Sequence, residues 1–342
     1  MKQRQKAMIS FSSLSPRAIL VWLLTLTLLW QMTIVPVAAV VRFDSVNDSG
    51  EKETGKNKPA KSSANKRQVN PVPVTSVSAA SFEEIVAPDS IVAAFGTSLA
   101  TTTKAAATTP LPTTIEGTTV RIRDSAGVER LAPLFFVSAN QINYNVPADT
   151  APGQATIEVR SGDGTISQGT LTVKAVAPAV FSANSDGRGV PAANLLRVRA
   201  NGAQVYESLA EFDTNERRFK TKPIDLGPEG ERVFLILYLT GLRGAADPNR
   251  DGNLNESIRL LMGGVQTTPL FVGPLPSFVG LDQLNSVELP RSLSGRGRVN
   301  IAVAAPGFST SNLCEIEIAP PAGLAPPQVT GFSAASAQAG QT

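Results

Sequence analysis

The sequence predicts an all-β protein: tandem Ig-like antiparallel β-sandwich modules that come after a signal peptide and a disordered linker. Three observations carry this reading. Apolar and polar residues alternate over short stretches, turn residues punctuate those stretches, and one long phrase of the chain occurs twice. Period-two alternation marks strands with one buried and one wet face, and short strands at this spacing build sandwiches or barrels. No stretch shows a helical period. Gly (27) and Pro (25) are plentiful and charged residues are only 17% of the 342, a balance that favours turns and strands over helices.

Residues 1–39 read as a secretory signal peptide. Lys2, Arg4, Lys6 and Arg17 precede the uncharged run "AILVWLLTLTLLW", and Val37 and Ala39 supply the small-residue ending, with cleavage expected after Ala39. The rival is an uncleaved anchor, but Gln31 and Pro36 interrupt an apolar run already short of the roughly 20 residues a spanning helix needs. No Cys comes after that run, which argues against a lipid anchor. Loss of the four basic residues turns the net charge of +3 into 27 basic against 28 acidic residues, so the basic balance resides in the signal. A nucleic-acid partner loses its support accordingly.

Residues 40–72 form the expected linker; "DSVNDSGEKETGKNKPAKSSANKRQVNPV" has too few apolar side chains to offset the entropy of ordering. From Pro73 the strands begin. Val120 and Ile122 alternate with Arg121 and Arg123; Ala155, Ile157 and Val159 alternate with Thr156, Glu158 and Arg160; Leu171 and Val173 continue the pattern.

A repeat divides the chain from Pro73 onward. "GVERLAPLFFVSANQINYNVP…APGQATIEV" (from Gly127) returns as "GVQTTPLFVGPLPSFVGLDQLNSVELP…GRGRVNIAV" (from Gly264), and "FGTSL" is answered by "LTGLRG". The expected modules are 73–175 and 176–319. Phe135 should correspond to Phe271 and Ile142 to Leu284, all buried. Ser286 is one residue extra, which is what a β-bulge requires. The second copy also carries "LLRVRANGAQVYESLAEFD", where Asn201-Gly202 signals a two-residue hairpin. Residues 320–342 echo the start of the first module and read as a tail or as the beginning of a truncated third one.

"APDSIVAAFGTSLA", "PLFFVSANQINYNVP", "APAVFSANSDGRGVPAANLLRV" and "GLDQLNSVELP" together resemble the uncharacterised Solibacter-type C-terminal β-sandwich domain family of exported bacterial proteins, over roughly residues 73–319. The module starts are similar to IPT/TIG Ig-like domains. The resemblance implies tandem sandwiches in cell-surface or secreted proteins and no catalytic residues. Departures are the extra Ser286 and Asp89 in place of a glycine.

Chemistry is sparse. The chain has no histidine, which excludes Ser-His-Asp and Cys-His catalysis and His-ligated metals, and its one cysteine, Cys314, falls on an alternating strand as a buried thiol. Glu83-Glu84 is a carboxylate pair that nothing places in a cleft. Gln141 and Asn143 share one face of a strand whose other face carries Ile142, Tyr144 and Val146; the amides read as scaffold bound to nearby loop backbone, with a ligand site as the alternative. In "DPNRDGNLNES" Asp247, Asn249 and Asp251 occupy positions 1, 3 and 5 of a calcium loop, with Gly252 at 6 and Leu254 at 8. Position 12, where a bidentate Glu belongs, is Ile258. Glu256 comes two residues early, and Arg243, Arg250 and Arg259 oppose a cation. A polar loop of Asx turns is the favoured reading, with calcium as the alternative and otherwise no cofactor.

These readings converge on an exported, non-enzymatic structural or adhesive protein of the cell surface or extracellular space. The expected partner is a protein or a surface polysaccharide; the membrane enters only through a retained signal segment. The alternative is a ligand- or carbohydrate-binding accessory module of a secreted hydrolase. A catalytic domain encoded after Thr342 would favour it, and further repeats the first reading.

Overall fold

The computed structural model describes residues 71–307 and 309–321. The expected signal peptide, almost all of the linker and most of the tail lie outside the described residues. These belong to one compact unit that starts at Pro71, and the first strand opens at Val72, one residue ahead of the expected boundary.

The fold is all-β. The first eleven strands are β1 (Val72–Pro73), β2 (Thr75–Ser78), β3 (Ile85–Val86), β4 (Ile91–Phe95), β5 (Lys104–Ala105), β6 (Thr119–Arg123), β7 (Glu129–Leu131), β8 (Leu134–Val137), β9 (Gln141–Asn145), β10 (Gly153–Arg160) and β11 (Ile166–Val173). One sheet runs β11-β10-β6-β7, and β1 and β3 both lie parallel to β11; the other runs β2-β4-β9-β8-β5. The two sheets share one apolar cluster. Val120, Ile122, Ala155, Ile157, Val159, Leu171 and Val173 enter it from the first sheet, Val92, Ala94, Leu134, Val137, Ile142 and Tyr144 from the second. Arg121 and Arg123 stay exposed beside their buried neighbours, as the alternation requires.

The next strands are β12 (Ala179–Val180), β13 (Ala193–Val198), β14 (Gln204–Ser208), β15 (Ala210–Asp213), β16 (Arg218–Thr221), β17 (Arg232–Thr240), β18 (Arg259–Met262), β19 (Val265–Thr267), β20 (Phe271–Pro274), β21 (Asp282–Glu288), β22 (Gly297–Ala305), β23 (Ser309–Thr310) and β24 (Cys314–Ile318). Here the sheets run β14-β13-β17-β21-β20 and β19-β18-β22, with β24 and β23 on the far side of β22. A second cluster fills the space between them, from Val176 to Ile318 in sequence. The repeat is therefore a repeat of topology. The order β4-β9-β8 matches β17-β21-β20, and β11-β10-β6-β7 matches β24-β22-β18-β19. Even the parallel contact of β3 with β11 has a counterpart, Ile224 beside Ile318 of β24.

Register corrects one expected equivalence. Phe136 faces Asn143 as Phe271 faces Asn285, because a register shift between Leu134 and Phe136 puts an extra residue, Phe135, into β8. Phe136, not Phe135, thus corresponds to Phe271, and all three phenylalanines are only half-buried. Ile142 and Leu284 do correspond, each fully buried opposite a valine, Val137 and Val272. The bulge expected at Ser286 is present. Leu235 alone stands against Ser286 and Val287, and its N–H donates to Ser286 Oγ at 2.8 Å, so the hydroxyl replaces the carbonyl that the bulge displaces. The Asn201-Gly202 hairpin, β13 to β14, also exists, but its loop has three residues. Arg199 N–H bonds Ala203 O at 2.8 Å around Ala200, Asn201 and Gly202, and Gly202 takes the left-handed conformation (φ +84°) that closes such a loop.

The two halves meet at a polar seam. Ile91 N–H donates to Thr240 Oγ1 (3.0 Å), which donates in turn to Gly280 O (2.7 Å). Gly280 has φ +72°, and a Cβ there would stand 2.4 Å from Asn145 Oδ1 in the first half. Only glycine allows that approach.

Candidate functional site

The paired amides on β9 and β21 bond one another. Gln141 Nε2 donates to Asn143 Oδ1, and Gln283 Nε2 to Asn285 Oδ1, each at 2.8 Å. The expected contact with loop backbone is replaced by this ladder along the strand face. Ile142, Tyr144 and Val146 are fully buried on the opposite face. A pair that the chain builds twice with the same bond is a scaffold device.

Cys314 is buried in the second core, and desolvation pushes its thiol up to about 12, so it carries no thiolate at neutral pH. Glu83 and Glu84 are exposed. Four charged side chains are buried among the described residues, and all four are engaged. Asp124 accepts from the Ala126, Val128 and Ala151 amides and from Arg130. Arg197 forms a two-pronged pair with Glu207 (2.6 and 3.0 Å) and reaches Glu231, which also holds Arg199. Asp282 is paired with Arg243 and accepts the Leu242 N–H at 3.2 Å. Burial outweighs the attraction of Arg243 and lifts the Asp282 carboxyl to about 6; the Asp89 charge adds slightly. Sequence reading missed Asp282. Its signal was present: in the aligned phrases "ANQIN" and "LDQLN", the second copy alone carries a charge before the Gln.

The segment 247–256 joins β17 to β18, the crossover between the two sheets of the second half. Three anchors fix it. Leu254 and Ile258 enter the core. Asn253 accepts the Val272 N–H at 2.9 Å and donates to Leu270 O at 3.2 Å. It also caps the single 3-10 turn Leu254–Glu256 by accepting the Asn255 N–H. Gly252 (φ +79°) turns the chain so that its N–H meets Asp247 Oδ2 at 3.0 Å. The 3-10 turn swings Glu256 back over the loop, where its Oε1 accepts from Asn249 Nδ2 at 2.5 Å. Position 12 is Ile258, fully buried, so it belongs to the core. Asp251 is exposed, and its Oδ1 accepts the Asn253 N–H. Among the described residues no group of three or more Asp, Glu, Cys or His side chains is gathered into a preformed metal cage. Three oxygens of this loop, Asp247 Oδ1, Asn255 Oδ1 and Glu256 Oε2, are nonetheless buried without a hydrogen-bond partner.

Fold and site define a class: an all-β chain of mainly antiparallel sheets whose four buried charged residues, among those described, are paired within the fold. Within it, no family model and no curated protein matches this sequence. Solved structures with a likeness include the Bacteroides ovatus mixed-linkage glucan utilization locus protein SGBP-B in complex with a mixed-linkage heptasaccharide, at 12% identity and TM-score 0.28. Another is the BSP domain of a biofilm associated protein, at 12% identity and TM-score 0.24. The alignments cover 69% and 70% of this chain, which spans 44% and 29% of those two chains.

Proposed function

We propose that this is an exported, non-enzymatic protein with a structural or adhesive role at the cell surface or in the extracellular space. Its partner is a protein or a surface polysaccharide. The observation that carries the reading is the use of the polar interior: each of the four buried charged residues among the described ones, Asp124, Arg197, Glu231 and Asp282, holds a loop or a strand of the scaffold in place. A hydrolytic site would hold back at least one buried acid or base for a substrate. The absence of histidine and the burial of Cys314 support the same reading. The N-terminal address and the Solibacter-type phrases support export.

Export is tested by expressing the full chain with its own N-terminus in a Gram-negative host. Mass spectrometry of the exported protein should find Val40 first. Retention in the cytoplasm with residues 1–39 intact would overturn the reading. The adhesive role is tested by displaying the exported chain on cells and measuring retention on immobilised surface polysaccharide and matrix protein. Turnover of a polysaccharide by the purified chain would place it among enzymes instead.

A further inference from the structure

We propose that the outer face of the sheet β2-β4-β9-β8-β5 binds a neutral polysaccharide chain. This names the partner within the adhesive reading and rests on that reading. Ile142 and Tyr144 take the core side of β9, so Gln141 and Asn143 project from the outer face. Phe95 of β4 stands beside Gln141, and Phe136 of β8 stands beside Asn143. Side chains directly opposite one another in an antiparallel pair share a side of the sheet. All four are half-buried, so each keeps part of its surface open to water. Neighbouring strands lie about 4.8 Å apart, which makes the strip from β4 to β8 about 10 Å wide, room for about two sugar rings.

Chemistry selects the occupant. A sugar ring offers an apolar face of C–H groups and a rim of hydroxyls, each both a donor and an acceptor. Phe136 supplies a ring whose negative face suits C–H groups. The amide ladder supplies the polar half. Because Gln141 Nε2 donates to Asn143 Oδ1, Gln141 Oε1 is left to accept and Asn143 Nδ2 to donate. Neither atom has another partner among the described residues, and neither is sealed from water. An acceptor and a donor side by side match two adjacent hydroxyls of one sugar. The ladder also holds both amides in one arrangement before a ligand arrives, so binding has little left to order. A peptide strand has no place here, since β4 and β8 already occupy both edges of β9. The other strand residues of this face, Thr75, Val77, Ile91, Ala93 and Ala105, carry no charge. An anionic polymer would be desolvated against them without a cationic partner. The ladder is scaffold in both halves, but Gln283 and Asn285, beside Phe271, are buried, so the site belongs to the first half.

The test is calorimetric titration of the full chain with cellohexaose, maltohexaose and mannohexaose, and with oligogalacturonate as the anionic comparison. At least one neutral hexasaccharide should bind at a single site, and oligogalacturonate should not. Phe136→Leu and Asn143→Ala should each weaken that binding at least fivefold. Circular dichroism checks that the variants fold, and Asn143→Ala, the milder change, decides alone if Phe136→Leu does not. No heat with any neutral hexasaccharide at about 10 mM, where even a millimolar site is mostly filled, would overturn the proposal. So would a preference for oligogalacturonate, or binding undiminished in the folded variants. An exported chain retained on matrix protein alone would overturn this inference and leave the adhesive reading standing. Sugar binding by a chain that stays in the cytoplasm would do the reverse.

Discussion

Asn143 and Asn285 accept the same bond from the same partner two residues upstream, but water reaches them differently. Asn285 is 3% exposed, whereas Asn143 is half-buried. Replacing Asn285 by Ala strands the buried Gln283 amide and should cost about 1–3 kcal/mol, while Asn143→Ala, where water can substitute, should cost less than about 1.5. Denaturant unfolding of the two variants checks this; equal losses would mean that exposure does not govern the pair. On the opposite face the equivalence runs the other way. Ile142 and Leu284 are both fully buried, so Ile142→Ala and Leu284→Ala should each cost roughly 2–5 kcal/mol. A loss under about 1 kcal/mol at either would contradict the placement. The apolar half of this strand was legible from alternation alone. The amides' partners were not, because a side chain's choice between backbone and a neighbouring amide depends on register.

Each half carries a bulge, and in a different strand. Ser286 stood out because it breaks the spacing between a Gln-x-Asn phrase and the Val that comes next. Phe135 did not, because the doubled phenylalanine preserves the look of Pro-Leu-Phe while advancing the phase by one. Past the extra residue Leu134 pairs with Tyr144 and is buried, whereas Leu270, in the same phrase, lies ahead of β20 and is 47% exposed. The strand β17 was harder still to read. Val233 through Thr240 are all buried, a continuous run without alternation that no period reveals. The short parallel strands β1 and β3 were illegible for the opposite reason: two residues hold no pattern. Deleting Ser286 is a direct test of the bulge. It should leave Val287 alone against Leu235 and Glu288 still opposite Phe234, a regular ladder without the hydroxyl that accepts the Leu235 N–H, and change stability by less than about 2 kcal/mol. A loss of more than about 4 kcal/mol would show that β21 cannot pair here without its extra residue.

The seam between the halves governs the molecule as a whole. Gly280→Ala puts a methyl group at a left-handed φ against Asn145, and should lower stability by more than about 1 kcal/mol. Calorimetry should then show two transitions drawing apart where the parent shows a more concerted one. Asp282 makes the same region sensitive to pH. Its carboxyl is raised from 3.8 to about 6 in the folded protein, so between those values the folded state holds a proton that the unfolded state has released. Its contribution therefore improves as pH falls from 7 toward 4, with the sign opposite to that of a paired surface acid. Asp124, held down chiefly by the Ala151 amide, and Glu207, held down by Arg197, behave in the usual way and withdraw their support only below their unfolded values of 3.8 and 4.5. Stability should thus rise slightly from pH 7 to about 5 and fall below about 4. In Asp282→Asn the rise should vanish while the acid fall remains. A parent profile that declines steadily from pH 7 would sink this account.

The chain enters this body through β1 and leaves its first half through β11, and those two strands lie side by side and parallel. Gly169 of β11 permits the contact, since a Cβ there would meet Val74 O at 2.0 Å. Strands arranged this way are dragged past each other when the two ends are pulled apart. Their bonds, among them Val74 N–H to Gln168 O and Lys174 N–H to Val86 O, then share the load and must rupture together. A protein tethered at one end and gripped at the other would find its mechanical latch here. Val74→Pro, which removes one donor from the latch, should lower the rupture force of the first half in single-molecule stretching and leave that of the second unchanged.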